Sequence, residues 1–186
     1  DAAHLDTLGK PSPNVDVAVM DASMNPVSVG KLGEIAVRGS IQTPGYWKDP
    51  ERSQQVLVNG WFRTGDLAIL TPSGHIQMKG RNDDVINIGG KKVFPQEIEQ
   101  YLMSHPSVQD CACCSVVNEL MGEQIQAFIV SNDTKLSTQE WVNILRESLD
   151  SYKIPTQFEY VDSIPYTNTG KKKREALVNE RAHKKP

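Results

Sequence analysis

The stretch Asp83-Asp84-Val85-Ile86-Asn87-Ile88-Gly89-Gly90-Lys91-Lys92-Val93-Phe94-Pro95-Gln96-Glu97-Ile98-Glu99-Gln100-Tyr101-Leu102-Met103 decides the fold class. Asp83 to Ile88 and Lys91 to Phe94 flank Gly89-Gly90, the pattern of a hairpin. Pro95 then opens a helix, with Ile98, Tyr101 and Leu102 at i, i+3 and i+4 as its apolar stripe, and Pro106 ends it. Beyond, Val108 to Val117 and Gln124 to Val130 read as strands with a turn from Asn118 to Gly122. Ser137 or Thr138 caps a helix to Leu149, with Trp141, Ile144, Leu145 and Leu149 facing inward. Phe158 to Val161 is a last strand, and Arg174 to about Ala182 a last helix. The order ββ-α-β-β-α-β-α describes a compact α+β module of about 100 residues.

Toward the N-terminus the character changes. Residues 15–21 alternate apolar and polar, as a half-buried strand does. Gly33 to Gly39 is a second strand. Asp49 to Val56 reads as a short helix with Asp49 as N-cap and Pro50 at its first position. Ala68-Ile69-Leu70 and His75 to Lys79 flank the turn Pro72-Ser73-Gly74. The expected fold class is therefore α+β. A β-rich subdomain, residues 1–82, is joined to a small α+β domain, residues 83–186. The join, Gly80-Arg81-Asn82-Asp83-Asp84, is short and polar, which suits two bodies that pivot.

Composition narrows the function classes. The 186 residues are 38% hydrophobic and 23% charged, a globular balance. There is no apolar run of about 18 residues and no signal-peptide pattern at the start, so no transmembrane segment is expected. The net charge of −3 argues against a dedicated nucleic-acid binder. That charge is uneven: residues 171–186 carry +5 and residues 1–170 carry −8. The three cysteines, Cys111, Cys113 and Cys114, lie together, are odd in number and lack metal-ligand spacing with any histidine. They read as small, buried strand residues in a reducing, cytoplasmic setting.

Four polar, glycine-punctuated segments interrupt the fold pattern. In Trp61-Phe62-Arg63-Thr64-Gly65-Asp66-Leu67 the carboxylate of Asp66 can accept hydrogen bonds from a sugar diol; it can equally cap a turn. In Gly80-Arg81-Asn82-Asp83-Asp84 the guanidinium suits ribose or phosphate, or an ordinary surface ion pair. Gly89-Gly90 is a bare hairpin tip that allows close approach of a ligand. Thr167-Asn168-Thr169-Gly170-Lys171-Lys172-Lys173-Arg174 is the most informative. It presents Lys171 from a shaped loop, where an ammonium can neutralise charge on a transferring phosphoryl or acyl-phosphate group. Cations at the start of a helix oppose its dipole, so three lysines and an arginine there require a reason.

Taken together, these segments resemble the C-terminal part of the acyl- and aryl-CoA ligases. Those belong to the AMP-forming adenylate synthetase superfamily, with the luciferases and peptide-synthetase adenylation domains. The resemblance runs from Leu8-Gly9-Lys10-Pro11 through Gly33-Glu34-Ile35, Pro44-Gly45-Tyr46-Trp47, Trp61 to Leu67 and Gly80 to Ile86. It continues through Gly90-Lys91-Lys92-Val93, Glu97-Ile98-Glu99 and Tyr152-Lys153-Ile154-Pro155 to Pro165 to Lys171. It implies that Asp66 and Arg81 hold the ribose of ATP or AMP, that Asp83 is a hinge, and that Lys171 is catalytic in adenylation. It also implies that Gly90 lines the passage for the pantetheine of CoA. Lys92 stands where many relatives place a phosphate-binding arginine. Gly89 replaces a lysine of some relatives and is assigned no role.

The implied reaction joins a carboxylic acid to ATP, releasing pyrophosphate, and then passes the acyl group to a thiol. The family's phosphate loop and the glutamate that holds Mg2+ have no counterpart in these 186 residues, so no metal ligand is assigned. The expectation is a C-terminal piece of a ligase, inactive alone, whose partner is the remaining N-terminal part of the same enzyme. Two alternatives stand beside it: an enzyme that loads a carrier-protein pantetheine, and a non-catalytic binding module of the same fold.

Overall fold

The sheet that positions the first set of candidate residues is built from alternation. A computed structural model describes residues 7–40, 42–118, 122–132 and 135–182. The chain divides into two units, Asp1–Asp83 and Asp84–Pro186. In the first, β1 (Val15–Met20), β2 (Leu32–Gly39), β3 (Leu57–Val58), β4 (Trp61–Leu70) and β5 (Ile76–Arg81) form one sheet. All its pairings are antiparallel, and β4 lies between β2 and β3 while also pairing with β5. Val19, Ile35, Ala68 and Ile76 meet in its core, with Val17, Val27 and Leu70 against them. The short helix α1 (Pro50–Val56) starts as its sequence dictates: Asp49 accepts from the Arg52 backbone N–H at 3.0 Å and Pro50 fills the first turn.

One expectation changes here. Residues 61–67 read as a polar segment ahead of a short strand, yet the whole of Trp61–Leu70 is strand. Neighbours on both edges supply ladder partners to residues whose own pattern is weak, and a bulge absorbs the glycine.

The second unit is a three-stranded sheet flanked on both faces. Its strands are β8 (Val108–Asn118), β9 (Gly122–Ser131) and β10 (Gln157–Tyr160), in the order β10-β9-β8 with β10 parallel to β9. Ahead of them lie a hairpin, β6 (Ile86–Ile88) and β7 (Lys91–Val93), and helix α2 (Pro95–Met103). Helix α3 (Thr138–Arg146) precedes β10, and α4 (Arg174–Ala182) closes the unit. On one face Cys111, Cys113, Ile125, Ala127 and Ile129 pack with Ile98 and Leu102 of α2 and Trp141 and Leu145 of α3. On the other, Ala112, Cys114 and Phe128 pack with Ile164 and with Leu177 of α4. Strand β8 is thus covered on both sides, which is why residues 111–114 are small and do not alternate in polarity.

The helices turn slightly from their expected faces. In α2 the buried residues are Pro95, Ile98, Glu99 and Leu102, while Tyr101 is half-exposed. In α3 Trp141 and Leu145 are buried, Ile144 is half-exposed, and the helix ends at Arg146 rather than Leu149. The Ser137–Glu140 capping box fixes the start of α3. No helix among the described residues is long and apolar enough to cross a membrane.

Candidate active site

In the first unit, strand register brings Asp66 and Arg81 together. They are opposite residues of β4 and β5, and Arg81 Nη1 donates to Asp66 Oδ1 at 3.0 Å. Each side chain is about 30% exposed, at 30% for Arg81 and 28% for Asp66. A pair so exposed stabilises the fold by only about 0–1 kcal/mol, so a ligand offering hydroxyls can replace its bonds cheaply.

A local irregularity aims the pair. Between β2 and β4 the register runs from Glu34↔Leu67 to Ala36↔Arg63, so Thr64, Gly65 and Asp66 bulge against Ile35 alone. Glu34 ties this bulge from below. It accepts from Gly65 N at 3.0 Å and from Arg63 Nε at 3.0 Å. Thr64 Oγ1 donates to the Ile35 carbonyl at 2.9 Å and accepts from Asp66 N at 3.1 Å. Gly65 has φ +76°, and a Cβ there would stand 3.0 Å from Arg81 Nη2. The backbone conformation favours glycine, and a side chain there would also crowd the guanidinium. Sequence reasoning missed Glu34 and Arg63, because an alternating strand does not say which polar side chain meets which.

In the second unit the loop from Thr167 to Lys171 is a tight hairpin. Thr167 N donates to the Lys171 carbonyl at 2.7 Å and Gly170 N to the Thr167 carbonyl at 3.0 Å. Lys171 N donates to Thr167 Oγ1 at 3.0 Å, and Tyr166 and Lys172 form a bridge. The Lys171 side chain is exposed, and its ammonium has no partner among the described residues. Lys172 and Arg174 turn the other way, half-buried, and both reach Glu99.

Glu99 is the group that the sequence reading missed. It is 6% exposed. Lys172 Nζ lies 3.0 Å from its Oε2, Arg174 Nη1 and Nη2 both donate to it, and Cys113 N donates to Oε1 at 2.8 Å. Burial alone would raise this carboxyl. The hydrogen bond and charge of Arg174, the Cys113 N–H and the charge of Lys172 outweigh it and hold the pKa below its ordinary value. The available signal was the unexplained cations ahead of α4: the dipole cost has its offset in this carboxylate. Burial likewise pushes the thiols of Cys111 and Cys114 up to about 12 and raises that of Cys113, so all three are protonated and inert at neutral pH.

The remaining predicted residues lie on the hairpin and the boundary. Gly89 and Gly90 have φ +56° and +81° and form the β6–β7 turn. Apart from its chain neighbours, no atom of the described residues lies within 4 Å of where a Cβ of Gly90 would be. The glycine answers to backbone shape and open space, not internal packing. Lys92 is exposed opposite Asn87, while Lys91 lies over the Tyr152 ring at 4.2 Å. Asp83 is exposed in a 3-10 turn, Asn82–Asp84. Among the described residues no group of three or more His, Cys, Asp or Glu side chains could hold a metal ion.

Comparison with known proteins shows what the chain is similar to. Residues 97–171 match the AMP-binding enzyme C-terminal domain. The chain is 36% identical over 177 residues to a long-chain-fatty-acid–CoA ligase of Escherichia coli O157:H7, covering 95% of this chain and 32% of the relative. It also superposes on o-succinylbenzoate CoA synthetase from Bacillus subtilis in complex with its acyl-adenylate intermediate. There the TM-score is 0.89, the identity 28%, and the coverage 95% of this chain and 36% of that one. The amide bond synthetase McbA from Marinactinospora thermotolerans matches with TM-score 0.85 and 33% identity, over 95% of this chain and 36% of that one. The chain thus spans about a third of the length of these relatives. Residues 97–171 thus match the AMP-binding enzyme C-terminal domain, and nearly the whole chain is similar to a part of acid–CoA ligases and related synthetases.

Proposed function

We propose that this chain works within an ATP-dependent, AMP-forming acid–thiol ligase. A carboxylate attacks the α-phosphate of ATP, pyrophosphate leaves, and the acyl-adenylate then passes its acyl group to a thiol such as that of CoA. Asp66 and Arg81 receive the ribose hydroxyls, Asp83 is the pivot, and Lys171 stabilises the charge between carboxylate and α-phosphate. Gly90 leaves room for pantetheine, and Lys92 meets phosphate as a point charge rather than a fork. The relatives' greater length holds the rest of the machinery, so the chain by itself is expected to be inactive. Cytoplasmic residence is part of the proposal and is supported by three unpaired, buried thiols.

The observation that carries the reading is a Lys171 ammonium with no partner among the described residues, on a pinned loop. The anchors of the second unit also support two separate steps. Tyr166, beside that loop, donates to Asp110 near the start of β8. The β6–β7 hairpin is tied through Asn87 N to Glu123, which pairs with Val117 near its far end. Along a strand that separation is about 20 Å. Anchors so far apart support a reading in which Lys171 and Gly90 serve different steps, with a rotation between them that gives each its own preorganised surroundings.

The test is the full-length enzyme with Lys171→Ala, assayed with palmitate, acetate and benzoate. Adenylate formation, read as pyrophosphate release, is expected to fall by about 100-fold or more. Thioester formation from supplied acyl-adenylate should persist. Equal loss of both half-reactions would remove Lys171 from its assigned role. Offering CoA, a pantetheinylated carrier and an amine in turn identifies the acceptor, a question raised by the likeness to an amide bond synthetase.

A further inference from the structure

The buried ionic cluster beneath the Lys171 loop has an arrangement that stability alone does not explain. Replacing a buried ion pair by apolar side chains of similar volume is often neutral or stabilising, and cations ahead of α4 oppose its dipole. What the cluster supplies is direction. Alternate residues of the segment point opposite ways: Lys171 and Lys173 are exposed, Lys172 and Arg174 half-buried. Lys173 N holds the Pro165 carbonyl at 2.8 Å, closing the base of the loop. Both inward cations end on Glu99, which α2 turns under β8, where it also accepts from Cys113 N.

Arg174 does more than pair with Glu99. Its Nη1 donates to the Cys113 carbonyl at 3.0 Å, and its Nε lies 3.7 Å from Asp84 Oδ1. Asp84 is the first residue of the second unit and also accepts from Gln96 Nε2 at 3.3 Å. One guanidinium therefore joins three parts distant in sequence: the base of the Lys171 loop, the buried face of α2, and the residue next to Asp83. A planar fork suits this because its donors have fixed relative directions; an ammonium has none.

We infer that Glu99 and Arg174 form a positioning clamp that holds the Lys171 loop in register with Asp84, so that loop and boundary segment turn as one rigid piece. The inference rests on the proposed reading of Lys171 for its functional meaning, but its mechanical content stands apart from it.

Two variants of the full-length enzyme test it, Glu99→Gln and Arg174→Lys, each with two readouts. The first is amide hydrogen exchange. Protection is expected to be lost at Thr167, Gly170, Lys171 and Lys173 while the β8–β9 amides stay protected. The second is the pair of half-reactions, with whichever carboxylate of the panel drives pyrophosphate release fastest. The rate of adenylate formation at saturating ATP is expected to fall by about 10- to 100-fold, the cost of misplacing a group by about an ångström, with KM for ATP nearly unchanged. Thioester formation from supplied acyl-adenylate should be retained. Loss of β8–β9 protection in both variants, or equal loss of both half-reactions, would assign the cluster to folding and overturn the clamp. Retained loop protection in both would overturn it as well. If Lys171→Ala leaves adenylation intact while the loop amides still lose protection, the clamp stands and the reading of Lys171 falls.

Discussion

At the scale of single residues, two positions show how a side chain is placed by what surrounds it. Gly65 lies in the left-handed region with its missing Cβ 3.0 Å from the Arg81 guanidinium. Gly65→Ala adds backbone strain of about 1–2 kcal/mol and crowds the Arg81 guanidinium, which must shift by a few tenths of an ångström. The expected outcome is a lower melting temperature together with weaker nucleotide binding, read by calorimetry with AMP in the full-length protein. Glu99 is the other case. Glu99→Leu leaves Lys172 and Arg174 half-buried with only the more distant Asp110 and Asp84, which costs up to about 3–5 kcal/mol; urea denaturation measures it. Glu99→Gln keeps an acceptor for Cys113 N and should cost less.

Elements add constraints that no single residue carries. Helix α3 is held by Trp141, which is fully buried, donates from Nε1 to Tyr160 Oη at 3.0 Å and stacks on Phe158 at 6.2 Å. Tyr160 Oη passes the bond on to the Leu136 carbonyl at 2.9 Å. Trp141→Ala removes packing and the donor to that hydroxyl, which keeps its own bond to Leu136, an expected loss of about 3–5 kcal/mol. Trp141→Phe should recover part of it, as thermal denaturation of the two variants will show. The β6–β7 hairpin behaves differently, since among the described residues nothing beyond their chain neighbours lies within 4 Å of a Cβ at Gly89 or Gly90. Gly90→Ala is expected to cost about 1 kcal/mol through φ alone and to slow thioester formation more than adenylation in the half-reaction assay.

Across the whole molecule, the ionic cluster and the thiols give the second unit a pH signature. The Glu99 carboxyl is held below its ordinary 4.5, so its stabilisation is fully present above pH 4.5 and is lost as pH falls through the depressed value. Burial alone would lower the Lys172 ammonium, but the charge and hydrogen bond of Glu99 outweigh it and raise it above 10.5; its share is present below pH 10.5 and lost at higher pH. Thermal melting against pH is expected to show a plateau between these limits, and Glu99→Gln should flatten its acid side. Labelling of Cys111, Cys113 and Cys114 by iodoacetamide at neutral pH should require unfolding.

The sequence by itself determined the α+β class and the kind and order of the helices and strands of residues 86–182, because periodicity, caps and turn residues act locally. It also carried the superfamily resemblance, because the short motifs keep their order whatever their packing. Only the tertiary structure decided that Asp66 faces Arg81 across a bulge, that Tyr101 and Ile144 turn outward, and that Glu99 gathers Lys172 and Arg174 beneath the Lys171 loop. The physical reason is one of range. Strand register and the burial of a charge are settled by partners 15 to 75 residues away in the chain, and a local pattern does not name them.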